Sequence, residues 1–236
     1  MAKLTIETYV ERLRTVLGPR LVSLLLFGSA ARQGGRTDAS ADTLLICDAV
    51  GDAFFDAIGP VVWEWIKAGH PAPLIFTDQE WRDSADVFAI EYEDARAAHR
   101  LLAGRDPWTG ITVARADVRL QLEHELRGKV VRLRQTFAAV HGDTRALARA
   151  VGASVPGVLT MWRALLRLAG RSVPGEAAAV IRDAAALVGF PPAPVEAIAA
   201  AGRGLTLAAG DTRAREYLDA VARTAQYVNA LPTRSA

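Results

Sequence analysis

The sequence predicts an α/β domain in residues 1–106 followed by an all-helical bundle in residues 107–236. The first part holds short apolar runs that end in glycine or in polar turns, a pattern typical of buried strands. The second part is rich in alanine and repeats apolar residues at three- and four-residue spacing, which favours packed helices. A turn-like segment at 106–110 separates the two parts and marks the predicted domain boundary.

The α/β part is predicted to alternate helices and strands. Apolar residues at helical spacing predict helices over 5–17, where Gly18-Pro19 ends the helix, over 52–68, with a break or kink at Pro60, and over 93–103. Short apolar runs predict buried strands at 21–27, 43–47 and 73–77, and a fourth strand at 87–91.

The second part is predicted to contain only helices. Glycine and proline turns separate the apolar stripes, which gives helices over 115–140, 143–151, 156–169, 175–188, 194–201 and 211–230.

Composition and charge narrow the class of protein. Apolar residues make up 51% of the chain, as in globular proteins, and no apolar run reaches the ~20 residues of a membrane helix. The chain has a single cysteine, Cys47, so it cannot form an internal disulfide framework. Cys47 lies in an apolar run, which indicates a core residue. We therefore expect a cytoplasmic protein. Residues 1–106 carry 11 Lys and Arg against 16 Asp and Glu, and residues 107–236 carry 17 against 10. The scattered arginines of the basic half are typical of solvated helix faces, so we do not expect a nucleic-acid partner.

The segment FGSAAR carries the clearest functional signal. A predicted buried strand runs directly into Gly28 and Ser29 and then into helix-forming residues that end at Arg32. Glycine lets the chain turn tightly and lets another group approach the backbone. The amides and the serine hydroxyl at such a helix start favour an anion, and phosphate is the usual one. A structural turn remains the alternative interpretation of these four residues.

The wider stretch resembles the nucleotidyltransferase superfamily that includes DNA polymerase β and the aminoglycoside nucleotidyltransferases. A typical member reads GSxARG…SDIDLLV, and this chain reads GSAARQGGRTDASADTLLI. The matching positions are Gly28, Ser29, Ala31, Arg32, Ser40, Leu44, Leu45 and Ile46. The resemblance covers roughly residues 5–105. It includes 96–104, which looks like the helix that closes this domain in relatives, and a helical domain often follows.

The two aspartates of the superfamily motif are missing. The alignment puts Ala41 and Thr43 at their positions, with Asp42 between them, pointing into the sheet. Shifting the register by one residue makes Asp42 the first acid but leaves Leu44 as the second, and starting from Asp38 gives Ser40 as its partner. No register restores Asp-x-Asp, so we expect a degenerate active site.

The resemblance implies a loss of metal chemistry. In the superfamily the two aspartates hold Mg²⁺ ions that bridge the phosphates and stabilise the attacking and leaving oxygens. Without them we expect a loss of roughly three decades or more in rate. We therefore expect no metal ligands and no cofactor, with Mg²⁺ only if the protein is active, and we leave the catalytic residues unassigned. The residues predicted to bind a nucleotide are Gly28, Ser29, Arg32 and Asp42.

Other acids are weaker candidates. Asp78 and Glu91 are possible counterparts of the superfamily's third carboxylate, although Asp78 equally fits a helix N-cap and Glu91 a solvated helix start. Glu125 is a possible catalytic glutamate of the helical domain, but ion pairing with Lys129 is the simpler interpretation, as is pairing of Glu123 with Arg127. The four histidines show no metal-ligand spacing.

Three functions follow from these observations. The first is a nucleotidyltransferase-fold protein with impaired or absent transfer that retains nucleotide or anion binding. The second is an active nucleotidyltransferase acting on an aminoglycoside-like small molecule, with Asp42 and a distant acid as ligands. The third is a protein-binding or antitoxin-like module. We expect a nucleotide or other phosphate ligand, no membrane, and a homo-oligomer or a protein partner as open alternatives.

Overall fold

The computed structural model describes residues 4–32 and 41–232. The chain forms two compact units, Met1–Val113 and Ala114–Ala236. The first is an α/β unit and the second is helical, which confirms the predicted fold class. Within the described ranges, no helix is both long enough and apolar enough to cross a membrane.

The first unit is built around a four-stranded mixed sheet. Its strands are β1 (Leu21–Phe27), β2 (Asp42–Cys47), β3 (Leu74–Thr77) and β4 (His99–Gly104), in the order β3-β2-β1-β4. β1 runs antiparallel to both β2 and β4, and β3 runs parallel to β2. The helices are α1 (Ile6–Leu17), α2 (Gly28–Arg32), α3 (Asp52–Lys67), α4 (Asp78–Asp83) and α5 (Ala89–Ala97).

The two faces of the sheet bury different clusters, because successive side chains of a strand point to opposite faces. One face packs on α1 and α3 through Leu24, Leu26 and Leu45. The other face packs Leu25, Leu44, Ile46 and Phe27 against side chains that follow β3, among them Trp81, Tyr92 and Trp108. Both strands at the centre of the sheet are therefore buried on both sides.

The stretch 87–104 differs from its prediction. The strand expected at 87–91 lies at the start of helix α5, and the second half of the helix expected over 93–103 is strand β4. Segment 96–104 is thus mostly the edge strand beside β1 and not a closing helix. The alanine-rich sequence favours a helix locally, but hydrogen bonding along β1 outweighs that preference.

The described part of the second unit contains a short 3₁₀ helix (Gly202–Gly204) and five α-helices: α6 (Arg115–Ala139), α7 (Thr144–Leu168), α8 (Ala177–Val188), α9 (Pro192–Ala201) and α10 (Arg213–Ala230). Two predicted helices, 143–151 and 156–169, form the single helix α7, which continues through Pro156. Val151, Val155 and Val158 are buried on both sides of that proline. Their packing offsets the backbone hydrogen bond that the proline removes.

The Arg119 side chain caps the C-terminal end of α10. Its guanidinium is buried and donates hydrogen bonds to the carbonyl oxygens of Leu231 (2.9 Å) and Asn229 (3.3 Å), and it pairs with Glu123. The last carbonyls of a helix lack intrahelical partners and carry partial negative charge. A cation from α6 supplies those partners here, so α6 and α10 are joined through backbone as well as side chains.

Candidate functional site

The candidate site begins where β1 passes into α2. Gly28 has φ of +72°, a conformation that glycine adopts without the strain of a Cβ atom. Its N–H donates a hydrogen bond to the carbonyl of Ala98, just before β4. The turn is therefore fixed to the neighbouring strand, and the predicted tight turn at Gly28 is present. The structure describes the backbone of Ser29 but not the position of its side chain.

Asp42 stands against this turn. It is the first residue of β2 and pairs with Phe27, the last residue of β1. A Cβ atom built on Gly28 would lie 3.3 Å from the Asp42 Oδ2 atom. Burial raises the pKa of the Asp42 carboxyl. Within the described chain, no residue donates a hydrogen bond to it or pairs with it, so a half-buried carboxylate faces the Gly28 turn without a partner there.

The structure decides between the two registers left open by the sequence. Ala41 and Leu45 belong to the cluster that faces α1 and α3, and Thr43 lies on that same face. The expectation that Asp42 points into this core is wrong. Asp42 and Leu44, which is 2% exposed, share the opposite face. These are the two positions that the alignment shifted by one residue compares with the superfamily's carboxylates.

An aromatic stack lies beside the start of β2, on the face of the sheet that packs on α1 and α3. Tyr9 stacks on Trp65 at 4.1 Å between ring centroids, and Trp65 stacks on His70 at 3.8 Å. The backbone N–H of Ala41 donates to Nδ1 of His70 at 3.2 Å. Burial raises the pKa of Tyr9 to about 12, and the neighbouring Thr43 hydroxyl opposes that rise. Residues on both sides of Asp42 along the chain are therefore held by this stack.

Arg32, predicted to bind a nucleotide, has a protein partner. Its Nη2 atom lies 2.6 Å from Oδ2 of Asp94 on α5, and both side chains are largely buried. This ion pair joins α2 to α5 and orients the helix that follows the Gly28 turn. The sequence does not single out Asp94, and no local pattern indicates this contact.

His99 is a further residue at this edge that sequence reasoning did not single out. It pairs with Phe27 from the other side, so Asp42, Phe27 and His99 form a row across three strands. The indole N–H of Trp108 donates to Nε2 of His99 at 3.1 Å. Because an indole only donates, Nε2 accepts, and Nδ1 carries the proton toward the Ala95 and Arg96 carbonyls. Both ring nitrogens of His99 therefore have hydrogen-bond partners within the protein.

The proposed counterparts of a third carboxylate do not join Asp42. Asp78 follows β3, whose residue Thr77 pairs with Cys47 at the far end of β2 from Asp42. That end is about 16 Å away along the strand. Asp78 also pairs with Arg105 at 2.5 Å and with Arg82 at 3.3 Å. The N-cap of α4 is Thr77, in a capping box with Glu80, and not Asp78. Glu91 is an exposed residue in the first turn of α5.

The second unit contains one of the two ion pairs predicted for α6. Glu123 pairs with Arg127 at 2.9 Å. Desolvation lowers the pKa of Lys129, as does the charge of Arg132, and the charge of Glu125 opposes both effects. The ion pair of Glu125 with Lys129 and the alternative of a catalytic Glu125 both stay predictions.

The donor set around Asp42 does not fit a pair of metal ions. Such a pair needs two carboxylates on one strand face, and β2 offers Asp42 and an apolar Leu44. Within residues 4–32 and 41–232, no group of three or more His, Cys, Asp or Glu side chains converges as a metal site. Asp38 and Ser40, which the alternative register used, lie outside the described residues.

Comparison with solved structures identifies the fold. The chain resembles the crystal structure of spectinomycin adenyltransferase AAD(9) from Enterococcus faecialis with ATP and spectinomycin, at a TM-score of 0.59. The two are 13% identical, and the match covers 91% of this chain and 95% of that one. No protein-family model and no curated protein matches the chain. The protein therefore has a nucleotidyltransferase-like fold, an α/β unit followed by a helical unit.

Proposed function

We propose that the chain is a nucleotidyltransferase-fold protein that binds a nucleotide or another phosphate ligand at the Gly28 turn and has lost most of its transfer chemistry. The observation that carries this proposal is the identity of Leu44. It occupies the strand position two residues after Asp42, on the same face, where the superfamily motif has its second aspartate. The resemblance to an adenyltransferase with bound ATP supports a nucleotide as the ligand.

Leu44 affects both the metal and the shape of the site. An aliphatic side chain donates no oxygen to Mg²⁺, which requires hard ligands in near-octahedral geometry. Leu44 is also buried among Leu25 and the aromatic side chains of its cluster. The volume that a second carboxylate and its metal would need is thus filled by apolar packing. Losing this electrostatic stabilisation predicts transfer slower by about three decades than in an intact site.

Asp42 sets the conditions for binding. Its carboxylate lies against Gly28, so a phosphate at the turn would meet a negative charge at close range. Protonation of Asp42, which its raised pKa favours, removes that repulsion. Binding is therefore expected to strengthen as the pH falls.

Isothermal titration calorimetry with a non-hydrolysable ATP analogue tests the proposal. We expect the wild-type chain to bind the analogue in EDTA, and to bind it no more tightly when Mg²⁺ replaces EDTA. Asp42→Asn is expected to bind more tightly than the wild type, because the repelling charge is removed. Binding that requires Mg²⁺ would favour an active nucleotidyltransferase instead. The exposed Asp86→Asn is the matched control and should behave like the wild type. No binding at millimolar analogue would contradict the proposal and favour a protein-binding module.

Restoring the second carboxylate tests the assigned register. Leu44→Asp is expected to create Mg²⁺ binding that Leu44→Asn does not, because only the carboxylate supplies the missing charge. Thr43→Asp should not create it, since that side chain faces α1 and α3. Circular dichroism confirms that each variant is folded. Equal Mg²⁺ binding by the Thr43 and Leu44 variants would contradict the register.

The second candidate is an active nucleotidyltransferase acting on a small hydroxyl-bearing molecule. The retained Asp42 carboxylate at the turn and the resemblance to a spectinomycin adenyltransferase favour it. In such a reaction an acceptor oxygen bonds to the α-phosphorus of ATP, the bond to pyrophosphate breaks, and the acceptor proton leaves to a base. Release of pyrophosphate with spectinomycin as acceptor, abolished in Asp42→Asn, would establish this function instead.

A further inference from the structure

Helix α3 carries a second apolar stripe on its outer face. Its inner face is buried against α1 through Phe54, Ile58, Val61 and Trp65. The outer stripe comprises Phe55, Gly59, Val62 and Ile66, at intervals of four, three and four residues. That spacing is the repeat by which two helices pack along a common seam.

The two ends of the outer stripe are exposed: Phe55 is 53% exposed and Ile66 is 42% exposed, and the indole of Trp63 beside them is 58% exposed. Val62, between them, is partly buried and also packs against the inner cluster. Single exposed apolar residues are common on protein surfaces, but several in one continuous seam mark an interaction site. The exposed side chains of Phe55, Trp63 and Ile66 along one side of α3 fit the apolar side chains of another helix.

We propose that this stripe pairs with the same stripe of a second copy of the chain, with the two α3 helices antiparallel around a twofold axis. In that arrangement Phe55 of one copy lies level with Ile66 of the other, and Gly59 lies level with Val62. Every apolar residue of the stripe then contacts an apolar residue of the other copy. An isologous contact of this kind closes on itself as a dimer.

The charges beside the stripe select the antiparallel orientation. Asp52, Asp56 and Lys67 lie on one flank of the seam, the acids near the start of α3 and the lysine at its end. All three are exposed, and within the described chain neither acid has an ion pair. Antiparallel pairing brings Lys67 of one copy between Asp52 and Asp56 of the other, within about 3 Å along the axis of each. In a parallel pair the twofold axis runs along the helices, so this flank lies on opposite sides of the seam in the two copies, and Lys67 does not meet the acids of the other copy.

Gly59 allows the close approach that a short seam needs. A Cβ atom built there would meet nothing within 4 Å, so the surface beside it is open. The absent side chain leaves room for Val62 of the second copy near the twofold axis. The Lys67 ammonium lies 4.8 Å from the centre of the Trp63 ring, which holds it beside the seam.

The size of the seam sets the expected affinity. Stable interfaces bury about 800 Å² on each partner, and one pair of short helices buries less. A reversible dimer with a dissociation constant in the range of roughly 1–100 μM is therefore expected.

Sedimentation equilibrium of the full chain across that concentration range tests the proposal. The wild type is expected to shift from monomer to dimer as its concentration rises. Phe55→Glu and Ile66→Glu, both at exposed positions, are each expected to weaken the dimer by at least ~10-fold. Leu120→Glu is the control, because Leu120 is an apolar residue 66% exposed on α6. A wild type that stays monomeric to millimolar concentration, or a dimer that Phe55→Glu leaves intact, would overturn the proposal.

Charge reversal tests the orientation. Lys67→Asp is expected to weaken the dimer several-fold, because the new acid faces the two acids of the other copy. The triple variant Asp52→Lys, Asp56→Lys and Lys67→Asp restores opposite charges across the seam and is expected to recover the dimer. Recovery supports the antiparallel pairing. A triple variant weaker than Lys67→Asp alone would overturn it.

Discussion

Arg32 and Asp94 form a 2.6 Å ion pair between residues 62 positions apart in the chain. The contact ties the helix after the Gly28 turn to α5, and both side chains are mostly shielded from water. Removing one member of such a pair leaves the other as a poorly compensated charge. The pair therefore contributes to stability and to the position of the turn.

Arg32→Ala is expected to lower the free energy of unfolding by about 3 kcal/mol, measured by urea denaturation. Arg82→Ala removes an exposed ion pair to Asp78 and should cost under about 1 kcal/mol. Equal losses for the two variants would show that the Arg32–Asp94 pair behaves as an ordinary surface pair.

Gly104 and Gly110 allow a matched test of backbone packing. Both have φ of +78°, but a Cβ atom on Gly104 would clash with the Val22 carbonyl oxygen, whereas one on Gly110 meets nothing within 4 Å. Gly110→Ala is expected to cost about 1 kcal/mol from backbone strain alone. Gly104→Ala should cost at least ~3 kcal/mol, because β4 must move away from β1. Thermal unfolding of both variants measures the difference, and similar losses would contradict this close approach.

Asp42 is expected to lower stability at neutral pH. Its pKa in the folded protein is raised by burial, so the folded state binds this proton more tightly than the unfolded chain does. The stabilising contribution of the neutral carboxyl is complete below the ordinary pKa of aspartate and is lost as the pH rises through the raised value. Asp42→Asn should therefore be more stable than the wild type at pH 7, and the gain should shrink as the pH falls to 3. Urea denaturation at several pH values checks this, with Asp86→Asn as the exposed control.

The Arg119 contact predicts a local effect at the end of α10. Arg119→Met keeps much of the packing but removes the hydrogen bonds to the Asn229 and Leu231 carbonyls. The expected cost is about 2 kcal/mol. Hydrogen exchange should rise most in the last turn of α10, and Arg215→Met, an exposed residue of the same helix, should leave exchange unchanged. Exchange that rises evenly through the unit would contradict a local capping role.

The central strands and the turn at Gly28 were predictable from the sequence. Leu21–Phe27 is an apolar run closed by glycine, and that pattern specifies a buried strand before a tight turn with little help from the rest of the chain. The strand β4 was not predictable in this way. Its residues favour a helix locally, and only pairing with β1, more than 70 residues earlier in the chain, makes them extended.

The site itself was only partly predictable. The sequence allowed two registers for β2, and choosing between them required knowing which face packs on α1 and α3. A shift of one residue exchanges the faces of every side chain in a strand, so Asp42 and Thr43 could not be assigned from spacing alone. The contacts of Arg32 with Asp94 and of His99 with Trp108 depend on the tertiary fold and have no local signal.

The position of β1 in the sheet has a consequence during synthesis. β1 lies between β2, which follows soon after it, and β4, which starts only at His99. Until β4 has left the ribosome, the edge of the apolar strand β1 that will pair with β4 is unpaired and exposed to solvent. Chains interrupted between α3 and α5 are therefore expected to aggregate or to bind chaperones, whereas chains extended past Gly104 can complete the sheet.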